Sequence, residues 1–271
     1  MLAADTYEGQ LVLVTGGGTG IGKGIATEFA RHGANVVIMS RNPEHLKSGV
    51  DAIEALGRRA LGISADIRDA ERVKAAFDEA EAHFGNGVDI LINNAAGNFP
   101  VPVEKMSVNA WRSVVQIVLD GTFICSREFG TRRIAAKKPG SIVNIASTLA
   151  WTGGPGTAHS AAAKAGVVNL TQSLAVEWAP DGIRVNAIAP GLYLNPEGHG
   201  HFRSSGHSVS PERTIPAQRT GEVRELGWAA VYMCSPFAVY MSGHTLVLDG
   251  ANWLRRRPMP EFIPIRDQFP S

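Results

Sequence analysis

One segment restricts the fold more than any other: Thr15-Gly16-Gly17-Gly18-Thr19-Gly20-Ile21-Gly22, which follows the apolar run Leu11 to Val14 and opens a helical stretch at about Ile21. A strand that ends in glycines and passes directly into a helix leaves unpaired N–H groups at the positive end of the helix dipole. No Cβ then keeps a phosphate away from them. The spacing is Gly-x-x-x-Gly-x-Gly rather than the literal dinucleotide fingerprint, so the strand-to-helix context carries the reading of a diphosphate cradle. A tight turn without a ligand is the alternative.

The rest of the chain repeats that alternation. Short β-branched runs occur at Leu11 to Val14, Asn35 to Met39, Ala60 to Ser64, Val88 to Ile92, Ser141 to Ile145, Ile183 to Ile188 and Thr245 to Leu248. Between them lie segments of helical periodicity, such as Ala70 to Phe84 with Val73, Ala76, Phe77 and Ala80 on one face, and Ala161 to Trp178. Near-continuous apolar strands joined by helices predict a seven-stranded parallel sheet covered on both faces, because right-handed crossovers place helices above and below it. No linker or repeat divides residues 1–271, so a single doubly wound α/β domain is expected. Two stretches depart from the pattern: a Gly-, Ser- and His-rich segment from about 191 to 215, read as a flexible substrate loop, and a Pro-rich tail over 254–271.

Composition removes several function classes. Lys and Arg total 26 against 25 Asp and Glu, a formal charge of +1 that provides no sequence-wide field for nucleic acid. Cys125 and Cys234 stand far apart without metal-ligand spacing, which argues against a disulfide framework or zinc and for a reducing cytoplasmic compartment. No apolar run reaches the length of a membrane span. His199, His201 and His207 invite a metal reading, but they sit in a segment that fixes no geometry, and no metal is expected.

After the second strand the chain has Ser40-Arg41 and no acid. A guanidinium there suits a 2′-phosphate, where Asp or Glu would take free ribose hydroxyls, so NADP(H) is the expected cofactor. Asp66, after the third strand, either accepts from the adenine amino group or caps the helix near Ala70.

Thr15 to Gly22, Asn93-Asn94-Ala95-Ala96-Gly97, Ser147, Lys164 and Pro190-Gly191 together resemble the short-chain dehydrogenase/reductase family over nearly the whole chain. The resemblance implies a Rossmann-type domain with strand order 3-2-1-4-5-6-7, a nicotinamide cofactor and a homotetramer. It implies cofactor contacts at Gly16, Thr19, Gly20, Ile21, Ile67, Asn94, Lys164 and Pro190, besides Arg41 and Asp66. Most members have a catalytic Tyr between the Ser and the Lys; here Ser160 stands in its place, four residues before Lys164. A hydroxyl is a poorer proton donor than a phenol and reaches less far.

Ala95-Ala96-Gly97-Asn98-Phe99, Ile117-Val118-Leu119 before Gly121, and His159-Ser160-Ala161-Ala162-Ala163-Lys164 resemble the narrower 2,4-dienoyl-CoA reductase branch. That resemblance implies an acyl-CoA substrate, an assisting Ser at 160, a relocated Tyr where this chain has Leu149, and an Asn where it has Asp120. Reduction of such a conjugated thioester gathers charge on the thioester oxygen, which needs hydrogen-bond donors more than a strong acid. Ser147, Ser160 and Asp120 are the candidate donors, and Lys164 the holder of the cofactor ribose. Other expectations are Tyr193 or His159 as substitute proton carriers, Phe99, Trp151 and Trp253 as acyl-chain walls, and Arg255-Arg256-Arg257 for CoA phosphates or as a solvated turn. A ketoreductase with a substitute acid and a catalytically silent NADP(H)-binding subunit stand as alternatives.

Overall fold

The computed structural model describes residues 2–193 and 211–255. Seven parallel strands form one sheet: β1 (Leu11–Thr15), β2 (Asn35–Ser40), β3 (Ala60–Ser64), β4 (Ile90–Asn93), β5 (Gly140–Ile145), β6 (Ile183–Pro190) and β7 (Thr245–Leu248). Their order is β3-β2-β1-β4-β5-β6-β7, as the resemblance implies. The chain reverses direction across the sheet between β1 and β4, so their carboxyl ends open a crevice there.

The inner strands β1 and β2 bury apolar side chains on both faces of the sheet. Val12 and Val14 of β1 join Val36 and Ile38 of β2 in one core layer. Leu11 and Leu13 join Val37 and Met39 in the other. The first layer is closed by α1 (Gly20–Arg31) and α9 (Val223–Cys234), which contribute Ile25, Phe29, Leu226 and Val231. The second is closed by α3 (Ala70–Phe84), α5 (Gly121–Ala136) and α7 (Ala158–Glu177), through Phe77, Phe129 and Leu174. The remaining helices are α2 (Pro43–Glu54), α4 (Val108–Val115), α6 (Leu149–Thr152) and α8 (Pro211–Thr214).

Local signals set the helix starts. Asn42 caps α2 by accepting from the Glu44 N–H at 2.8 Å. Asp69 caps α3 from the Arg72 N–H at 3.0 Å, and Ser107 caps α4 from the Ala110 N–H at 3.1 Å. The sequence left Asp66 open as the α3 cap; Asp69 has that role. Between α4 and α5 the ladder slips into a π-helical turn, Gln116–Asp120. One extra residue there offsets the apolar pattern of α5 from that of α4 by about 100°. Among the described residues no helix is long and apolar enough to cross a membrane.

A buried polar chain ties the second layer together. Asn93 Nδ2 donates to Ser126 Oγ at 2.9 Å and to Asn144 Oδ1 at 2.8 Å, and Asn144 Nδ2 donates to Thr171 Oγ1 at 2.9 Å. These bonds fix β4 and β5 against α5 and α7, and so the position of α7 beneath the crevice. Nothing in the apolar pattern announces them.

Candidate active site

A cleft of about 640 Å³ lies over the carboxyl ends of the strands. Its wall runs from Ser40, Arg41, His45, Asp66 and Ile67, past Gly16, Thr19, Gly20, Ile21 and Asn94, to Ser147, Lys164 and Pro190 to Tyr193. All ten residues expected at a cofactor lie on it, and Ser147 with them.

The phosphate end is shaped by backbone. Gly20 adopts φ +53°, in the left-handed region. A Cβ on Gly18 would stand 2.0 Å from the His45 carbonyl oxygen, which excludes any side chain there. Thr19 precedes α1 without a side-chain cap, and the first turn of α1 carries no acid. The N–H groups of that turn therefore lack an internal acceptor and face an electropositive opening, the environment a diphosphate requires. Asn94 supports this turn from below: its Nδ2 donates to the carbonyls of Thr15 at 3.0 Å and Gly16 at 3.1 Å. Its amide nitrogen thus holds the cradle, and the residue itself lies on the cleft wall.

At the β2–β3 end of the cleft, Arg41 is exposed, with Nη1 3.7 Å from Asp66 Oδ2. Asp66 is gripped by Arg68, whose guanidinium lowers its pKa to about 2.

At the reactive end, Lys164 is buried in α7 and its ammonium donates to the Ile145 carbonyl at the end of β5. Burial disfavours the charge and lowers its pKa to about 8. Ser147 lies two residues beyond that carbonyl. Its Oγ accepts from the Leu149 N–H at 3.3 Å, which orients the oxygen and leaves the hydroxyl hydrogen available. The glycine turn, Lys164 and Ser147 therefore share one cleft.

Other expected residues lie elsewhere. Ser160 is buried one turn before Lys164, and Asp120 is exposed at the end of the π-turn, three residues beyond Ile117; only Ile117 is on the cleft wall. Tyr193 does reach the cleft, but its hydroxyl donates to the Leu248 carbonyl at 3.1 Å and burial pushes its pKa up to about 12. This argues against Tyr193 as the substitute acid. His159 is fully buried and off the cleft wall: Nδ1 accepts from the Ser160 N–H at 2.8 Å and Nε2 has no hydrogen-bond partner. Phe99 packs edge-on against His159 at 4.9 Å, while Trp151 meets Trp253 at 5.5 Å, and none of the three is on the cleft wall. Arg255 donates to the Thr214 carbonyl at 2.7 Å. Arg256, Arg257, His199, His201, His207, most of the 191–215 segment and nearly all of the tail lie outside the described residues. Among the described residues no three His, Cys, Asp or Glu side chains converge as metal ligands would.

A parallel sheet with a glycine cradle at its switch point, and a buried Lys beside a Ser at the end of β5, defines a dinucleotide-binding oxidoreductase. Residues 16–251 match the protein family described as Enoyl-(Acyl carrier protein) reductase. A Bacillus subtilis protein described as a probable 2,4-dienoyl-CoA reductase is 40% identical over 253 residues, covering 93% of this chain and 99% of that one. A peroxisomal 2,4-dienoyl-CoA reductase of Danio rerio is 40% identical over 252 residues, covering 92% and 83%. Among solved structures, a short chain dehydrogenase from Bacillus anthracis superposes with a TM-score of 0.83 at 42% identity, over 92% of this chain and 99% of that one. A structure from Agrobacterium tumefaciens, described as a 2-deoxy-D-gluconate 3-dehydrogenase with bound NADP, gives 0.84 at 34% identity, over 93% and 99%. The chain belongs to the short-chain dehydrogenase/reductase family.

Proposed function

We propose that this oxidoreductase reduces a 2,4-dienoyl-CoA or a related enoyl thioester with NADPH. One observation carries the reading: Ser147 and a buried Lys164 share a cleft with a diphosphate cradle, and no uncommitted phenol lies among its described walls. A ketone must receive a proton on its oxygen, whereas a dienoyl thioester needs its oxygen stabilised and takes its proton on carbon.

The nicotinamide cofactor supplies a hydride when bound. The remaining work belongs to the chain. The α1 N-terminus and the glycine turn receive the diphosphate. Arg41 recognises a 2′-phosphate, Asp66 with Ile67 borders the adenine, and the Lys164 ammonium holds the ribose hydroxyls. Ser147 donates to the thioester oxygen, where a preorganised donor contributes about 2.7–4 kcal/mol in favourable cases. Ser160 and Asp120, which the sequence offered as further donors, lie off the cleft wall and are given no part in holding that oxygen. The names of the Bacillus subtilis and Danio rerio relatives support the substrate class. Assembly as a homotetramer would give a place to the aromatic surface that Trp228 and Tyr232 leave exposed on α9; light scattering measures its mass.

The test follows cofactor oxidation with a 2,4-dienoyl-CoA, a 3-ketoacyl-CoA and a simple ketone, each with NADPH and NADH. Turnover confined to the dienoyl thioester is the expected result. Turnover of a ketone in its place makes the chain a ketoreductase. NADPH binding without turnover of any of the three makes it a silent nucleotide-binding subunit.

A further inference from the structure

Arg41 can serve a 2′-phosphate only if the acid beside it is kept occupied. Asp66 stands 3.7 Å from its guanidinium, near enough to compete for Arg41 and to repel the phosphate. A third residue enters here. Arg68 encloses the Asp66 carboxylate: its backbone N–H and its Nε each donate to Oδ1 at 3.0 Å, and Nε and Nη2 reach Oδ2 at 3.1 and 2.5 Å. A planar guanidinium meeting a carboxylate on both oxygens is the strongest pairing available to either group. Arg41, by contrast, makes one loose contact. The fork of Arg68 therefore decides which arginine holds the acid. Arg68 itself is not on the cleft wall, whereas Arg41 and Asp66 are.

We propose that Arg68 is a positioning residue for cofactor choice: by binding Asp66 on both oxygens it leaves Arg41 available to the 2′-phosphate. The inference rests on the NADPH reading above and deepens it. It acts through Asp66, which separates it from direct contact with the phosphate and from general support of the fold.

The experiment measures dissociation constants of NADPH and NADH by titration calorimetry, for the full chain and for Arg68→Gln, Asp66→Asn and the double variant. In Arg68→Gln the preference for NADPH over NADH falls by about fivefold, the scale of one charge at a partly exposed site. In the Asp66→Asn background the same substitution leaves the preference within about twofold, because the competing anion is gone. Equal weakening of both nucleotides by Arg68→Gln overturns the proposal in favour of a structural role. A loss of preference that persists with Asn at 66 overturns it in favour of direct phosphate contact. If the unaltered chain prefers NADPH and Arg68→Gln keeps that preference, the inference about Arg68 fails alone. If the unaltered chain does not distinguish the two nucleotides, the cofactor reading of Arg41 fails instead. NADH binding by each variant also reports that it has folded.

Discussion

Gly16 to Ile21 present a ligand with main-chain N–H groups and a bare turn, whereas Ser147 and Lys164, at the other end of the same cleft, present side chains. The first end tolerates almost no change of residue, because a Cβ at Gly18 would meet the His45 carbonyl at 2.0 Å. The second end depends on the chemistry of single side chains, and its one phenol among the described residues, Tyr193, is committed to the Leu248 carbonyl. Binding geometry made from backbone is fixed by the fold itself, while reaction chemistry made from side chains can be altered with the fold intact. That contrast explains how a chain can keep its nucleotide site and still raise a question about its reaction.

The most severe way to test the contrast is Lys164→Met. Loss of the buried ammonium is expected to lower kcat/KM for the dienoyl thioester by about 10²–10³, the scale for removing one preorganised charged donor. NADPH oxidation measures it, and diphosphate affinity, probed with ADP-ribose, is expected to stay within about threefold if the two ends act separately. Ser147→Ala is expected to reduce turnover less, by roughly 10- to 100-fold, with KM for NADPH nearly unchanged. An effect of Ser147→Ala on KM but not on kcat would move this hydroxyl from the reacting oxygen to the cofactor.

The same lysine sharpens the comparison through stability. Its pKa falls from an ordinary 10.5 to about 8 on folding, so between these values the unfolded chain binds more protons than the folded one. Stability from this group therefore rises with pH across that window, by on the order of 3 kcal/mol in total. Urea unfolding at pH 7.5 and 9.5 is expected to show the unaltered chain gaining on Lys164→Met as pH rises, with groups common to both cancelling. The smallest effect is that of Tyr193→Phe. The hydroxyl holds the Leu248 carbonyl, so about 1 kcal/mol of stability is lost and turnover is retained. Abolished turnover would restore Tyr193 as an acid.

Legibility in the sequence divides along the same line. The strands over Asn35 to Met39, Ala60 to Ser64 and Thr245 to Leu248, and the helix Ala70–Phe84, emerge where their periodicity places them, because both faces of the sheet are apolar and alternation leaves few registers. The cradle was readable because glycine has a local meaning. The use of a polar group was not, because it depends on partners far along the chain. The Asn94 amide turns to Thr15 and Gly16, Tyr193 to Leu248, and Asn93 to Asn144 across two strands. Residue type alone gives a capacity to bond and no direction. His159 shows the limit most clearly: adjacent to Ser160 in sequence, it is nevertheless sealed in the interior.

The π-turn at Gln116–Asp120 makes the α4–α5 helix one residue longer than its packing requires. Each residue of a helix advances its face by about 100°, so the surplus residue is what lets Ile117 address the cleft while Cys125 and Phe129 keep their places in the core. Removing a single residue from this stretch would give a regular helix with the same interior and a rotated rim. Evolution, or an engineer, could in this way redraw the substrate side of the molecule by shortening the chain without repacking its centre.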